Sequence, residues 1–149
     1  MKSFTYLLAA GMLCAACGGQ KTVAPEAEEP QKEAKLVCLS FDDGPNTTTT
    51  VAMLDMLKKH DVVGSFFVIG NNINEASAEV MKRTYEMGCD IQNHSKTHTQ
   101  MPTLTADEIK AEIAYTSGKI KEAIGVEPIF FRSPYIAGND VLHQNIDLF

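Results

Sequence analysis

The sequence predicts an α/β fold with a parallel sheet, and three observations carry that reading. Short runs rich in Val, Ile, Phe and Leu alternate with longer stretches of helical periodicity. The apolar runs are continuous rather than alternating, as in strands covered on both faces. Polar residues of the metal-binding and catalytic kinds stand directly after the strand-like runs, where a parallel fold gathers strand ends on one rim.

Residues 1–17 stand apart from that pattern. Lys2 gives a positive start, Phe4 to Ala16 are almost wholly apolar or small, and Cys17 precedes Gly18 and Gly19. This is the layout of an export signal, too short at about 20 Å of helix to span a hydrocarbon core of roughly 30 Å. Leu13-Cys14-Ala15-Ala16-Cys17 resembles a bacterial lipoprotein signal with Cys17 as the lipidated residue; an ordinary secretory signal is the alternative. Residues 18–34 are rich in Glu, Lys, Pro, Gln and Ala and read as a solvated linker. The expected product is exported and anchored in a bacterial cell envelope, touching the membrane only through its lipid.

Residues 35–149 leave room for one domain. Leu36–Phe41, Val62–Ile69, Cys89–Gln92 and Ile129–Phe131 read as four buried strands. Thr50–His60 carries Val51, Leu54, Met56 and Leu57 on a helical repeat, and Ala76–Met87 carries Ala76, Val80, Met81 and Met87. Thr105–Ile124 is the clearest helix. Thr105 and Glu108 form a capping box, Ile109, Ile113, Ile120 and Ile124 continue the apolar stripe, and Gly125 stands where the helix stops. Alternation of this kind leaves open whether the sheet is open or closed into a barrel. Of the cysteines in the folded part, Cys38 and Cys89 sit in strand-like runs, either bonded or as two buried thiols.

A net charge of −6 without a Lys/Arg cluster argues against a nucleic-acid partner. Asp42-Asp43-Gly44-Pro45, Asn93-His94-Ser95-Lys96-Thr97-His98 and Arg132-Ser133-Pro134-Tyr135 follow the first, third and fourth strands. Two aspartates before Gly-Pro are also ordinary turn formers. His94 and His98 are four apart, a spacing that places both rings on one face of a helical turn. With a carboxylate from the same rim they make a three-ligand set with an open position, the arrangement of a catalytic zinc-like site. Arg132, after a buried strand, is expected to pair with Asp42 or Asp43.

Leu39-Ser40-Phe41-Asp42-Asp43-Gly44-Pro45, Asn93-His94-Ser95-Lys96-Thr97-His98 and Phe131-Arg132-Ser133-Pro134-Tyr135, in this order, closely resemble the first three motifs of the polysaccharide deacetylases, carbohydrate esterase family four. The resemblance implies a partial (β/α) barrel, truncated here after about four strands. It implies Asp43, His94 and His98 as ligands of one divalent metal ion, zinc first, with cobalt, nickel or manganese as alternatives. It further implies Asp42 as general base, Arg132 as its electrostatic partner, and a backbone N–H near Tyr135 as oxyanion donor. The expected substrate is an acetylated glycan such as peptidoglycan, a chitin-like oligosaccharide or xylan, and the expected state a monomer.

Two departures accompany it. Ser133 stands where the family commonly has Pro. Members of the family continue through further strands with a tryptophan motif and a late histidine; this chain has no Trp, and His143 lies too near Arg132 to be that histidine. A longer enzyme is therefore expected, of which this is the front part. A non-catalytic glycan- or metal-binding lipoprotein on the same scaffold is the competing reading; a peptide or nucleotide hydrolase is a third, with no phosphate-cradling loop to support it.

Overall fold

The computed structural model describes residues 35–146. The expected export signal, the expected lipidation position Cys17 and the expected linker 18–34 lie outside them. Three parallel strands, β1 (Ser40–Gly44), β2 (Ser65–Val68) and β3 (Asp90–Asn93), form a sheet in that order. Helices α1 (Thr49–Lys59), α2 (Glu75–Glu86), α3 (Ala106–Ile124) and α4 (Asp140–Ile146) alternate with or follow the strands. The α/β architecture with a partial parallel sheet is thus the one that the sequence pattern predicts.

Helix starts and stops follow local chemistry. The Thr105 side chain accepts from the Glu108 N–H while the Glu108 carboxylate accepts from the Thr105 N–H, and Gly125 closes α3 in the left-handed conformation at φ 77°. The backbone N–H of Thr105, and then its hydroxyl, hold the Glu108 carboxyl below its ordinary pKa. Asn74 and Ser77 cap α2 in the same reciprocal way.

Leu54, Leu57, Phe66, Val68, Met81, Cys89, Ile91 and Ile120 form the main core, between α1, α2, α3 and the sheet. Met101, Ile109, Ile113 and Leu142 make a second cluster. Every apolar position predicted for α3 either is buried or packs against the main core. The stripe on α1 is narrower than its sequence repeat: Leu54 and Leu57 are buried, but Met56 is exposed.

The strands depart more from expectation. β1 begins at Ser40 rather than Leu36, and Leu36 and Val37 lie exposed. The fourth strand-like run makes a single parallel bridge, Asn93 to Phe131, and Ile129 and Phe130 are exposed rather than buried. The reason is a side chain: the Gln92 carbonyl oxygen accepts from the N–H groups of Ile129 and Phe130 at 3.0 and 2.9 Å, replacing ladder bonds with an amide bracket. Cys38 and Cys89 are both free thiols. Cys89 is buried as expected, whereas Cys38, ahead of the first strand, is exposed. No described helix is long and apolar enough to cross a membrane.

Candidate metal centre

The three polar clusters converge at the carboxyl ends of the strands, and an irregularity in β1 sets the first of them. Phe41 pairs with Phe66 and Gly44 with Val68, so three steps of β1 face two of β2. The extra residue is accommodated by Asp43, whose backbone is left-handed at φ 69°. Consecutive carboxylates therefore leave the strand in different directions. Asp42 turns to Arg132, with Oδ1 2.6 Å from Nη1; Asp43 turns to the histidines. The Asn72 side-chain amide donates to the Asp43 carbonyl at 2.9 Å and ties the bulge to the turn after β2.

His94 leaves the end of β3 with its ring 4% exposed. Its Nδ1 lies 2.8 Å from the backbone oxygen of Arg132, which can only accept, so Nδ1 carries the proton and Nε2 faces Asp43. Asp43 Oδ1 stands 3.4 Å from His94 Nε2 and 3.2 Å from His98 Nε2. The donor atoms of the three residues all lie within 4.8 Å of one another. A lone pair of neutral His94 aimed at a carboxylate oxygen is unfavourable unless a cation or proton stands between, and two imidazoles with one carboxylate are the donors that zinc-like ions take. The residues fit a divalent metal.

The route by which the histidines meet differs from the predicted helical turn. Residues 94–98 form a loop, left-handed at Ser95 (φ 67°) and His98 (φ 60°). Side chains have taken its backbone bonds: Ser95 N–H goes to Asn93 Oδ1, His98 N–H to Ser95 Oγ, and the N–H groups of Lys96 and Thr97 to the Glu112 carboxylate. The two rings come together at 5.0 Å between centroids.

Arg132 pairs with Asp42, one of the two partners expected, and also donates to Ser40 Oγ at 3.1 Å while its guanidinium stacks 3.9 Å above the Phe67 ring. Its own backbone N–H donates to the Asn93 carbonyl. Pro134 is buried, and Tyr135, left-handed at φ 59°, is exposed with its ring 4.8 Å from that of His98. His143 is exposed.

Side chains that the sequence did not single out complete the shell. Asn93 is buried and gives its amide to the Ile113 carbonyl and Ser117 Oγ, joining β3 to α3. Ser40, Phe67, Asn72 and Glu112 join it; only Asn93 and Ser40 carried a sequence signal, lying inside the motif runs.

Residues 29–147 match the Polysaccharide deacetylase family. The chain belongs to this family. It is 41% identical over 133 residues to a bifunctional xylanase/deacetylase of Pseudobutyrivibrio xylanivorans, covering 89% of this chain and 22% of that protein. Among solved structures, it is similar to the Xyl-CE4 domain of a multidomain xylanase from the hindgut metagenome of Trinervitermes trinervoides. That match has a TM-score of 0.75 at 44% identity, over 77% of this chain and 56% of that one. A family 4 acetyl xylan esterase from Clostridium thermocellum, solved with a cobalt ion, matches with a TM-score of 0.74 at 37% identity, over 76% and 55% of the two chains. Other relatives are peptidoglycan and chitin deacetylases. The chain thus spans just over half of these two solved chains and under a quarter of the bifunctional relative.

Proposed function

We propose that this chain is the metal-carrying part of a hydrolase that removes N- or O-linked acetyl groups from a carbohydrate polymer. One observation carries the proposal: Asp43, His94 and His98 converge on one point while the adjacent carboxylate, Asp42, is held by Arg132. Such separation of a ligand carboxylate from a base carboxylate is what hydrolysis by an activated water requires. The presence of xylan, peptidoglycan and chitin deacetylases among the relatives supports a glycan substrate.

Asp43, His94 and His98 would hold one divalent ion, zinc first, with cobalt, nickel or manganese as alternatives; when bound it supplies Lewis acidity toward water and the acetyl carbonyl. The remaining work falls to the chain's own groups. Asp42 accepts a proton from the attacking water, its carboxylate oriented by Arg132, itself fixed by Ser40 and the Phe67 ring. A backbone N–H near Tyr135 donates to the oxyanion as it develops. The Tyr135 ring, resting on His98, bounds one side of the acetyl position. Acetate leaves, and a free amine or hydroxyl remains on the sugar.

The wider setting belongs to the same proposal. Residues 1–17 act as a lipoprotein signal, Cys17 takes the lipid, 18–34 tether the domain, and residues 35–149 are the front part of a deacetylase domain working as a monomer in the cell envelope. Acetate release from acetylated xylo-oligosaccharide and from N-acetylglucosamine oligomers tests the activity on the full-length protein. Loss of release on chelation and in Asp42→Ala supports hydrolysis. Metal binding with no acetate released from either substrate supports the non-catalytic binding protein instead.

A further inference from the structure

We infer that Glu112, in the second turn of α3, is a positioning residue that sets the backbone between the two histidines and so delivers the His98 imidazole to Asp43. The inference rests on reading Asp43, His94 and His98 as a metal site. His94 and His98 reach that site by different means. His94 is buried and its Nδ1 is held by the Arg132 carbonyl. His98 is more open, and among the described residues no hydrogen bond reaches its Nδ1. The direction of its ring is therefore inherited from the backbone that carries it.

That backbone is strained. Ser95 and His98 are both left-handed, a conformation that non-glycine residues keep only where surrounding bonds over-determine it. Asn93 Oδ1 and Ser95 Oγ satisfy the N–H groups at the two ends of the loop. The middle depends on Glu112. Its Oε2 accepts from the N–H groups of Lys96 and Thr97 at 2.9 and 2.8 Å, and its Oε1 accepts from Thr97 Oγ1 at 3.0 Å. Three bonds to an ionised acceptor are stronger than neutral ones, and they fall between the two ligands. The Lys96 ammonium lies 4.6 Å above the Tyr115 ring, one turn along the same helix, and the Ser95 and Lys96 carbonyls accept from Gly70 and Asn71. The loop is clamped between α3 and the turn after β2. By contrast Asp55, in the exposed ion pair with Arg83, ties only one helix side chain to another.

Cobalt(II) titration followed by visible absorption, with amide hydrogen exchange of Lys96 and Thr97 in the metal-free protein, tests this in the full chain. Glu112→Ala is expected to weaken cobalt binding about 10- to 100-fold, as loss of an outer partner of a ligand does. It should also speed exchange of both amides by about 10-fold or more. Asp55→Ala should change neither. Glu112→Gln keeps a carbonyl that accepts from both N–H groups and should recover most of the affinity, which a merely stabilising role would not require. Cobalt affinity within about threefold of the parent in Glu112→Ala overturns the inference. If Glu112→Ala does not fold, Glu112→Leu, which keeps the bulk of the side chain but accepts from neither N–H group, is read against the same limits. If the parent binds no cobalt, the metal reading fails, and unchanged exchange of the two amides in Glu112→Ala would separately overturn the positioning role.

Discussion

Asp42 and Asp43 are neighbours in the chain but serve two different partners, Arg132 at 2.6 Å and the imidazole pair at 3.2 and 3.4 Å. The bulge in β1 and the left-handed Asp43 are what divide them. The division makes the two carboxylates separable by mutation.

Asp43→Ala removes a direct donor and should weaken cobalt(II) binding by more than about 100-fold, beyond the range for outer partners. Isothermal or spectroscopic titration checks it. Affinity close to the parent would mean that the three residues do not share an ion. Chelation should abolish acetate release and added cobalt should restore it.

Arg132→Ala should leave cobalt affinity within a few-fold, because His94 bonds to the Arg132 backbone oxygen, which any residue retains. Acetate release should fall on the order of 10² to 10⁴, the usual weight of a positioned general base. Equal loss of both would place Arg132 in the fold rather than beside Asp42.

Gly70→Ala tests the packing beneath the site. A Cβ there would lie 2.3 Å from Thr116 Oγ1 and 3.0 Å from the Tyr115 ring, so α3 or the turn must shift. A cost of about 1–3 kcal/mol in urea unfolding is expected, as for other overpacked positions. An unchanged midpoint would show that the two elements are looser than their contact implies.

Glu108 gives a pH signature. Its folded pKa is lowered by the Thr105 bonds, so its contribution to stability is complete above the unfolded value and is lost as pH falls through the folded one. Glu108→Gln keeps the capping geometry without the titration. The stability difference between parent and variant should be widest near neutral pH and shrink on acidification toward about pH 3. A difference constant across that range would count against the sign.

Sequence alone determined the features that repeat locally. The 3.6-residue spacing of Ile109, Ile113 and Ile120, the Thr105–Glu108 box and Gly125 marked α3 to within a residue, because each depends on neighbours a turn away. Placement of polar runs after strand-like runs located the rim, since parallel strands share one end. Tertiary structure decided the rest. The histidine spacing predicted a helical turn, yet Glu112, Asn93 and Ser95 take the backbone bonds that a helix would have made. Continuous apolar runs predicted buried strands, yet Leu36, Val37, Ile129 and Phe130 find no described surface to cover them. The physical reason is common to both: periodicity records what a segment makes of its own neighbours, while a carboxylate donated by a helix about fifteen residues away, or a covering surface, is fixed only when the chain has folded.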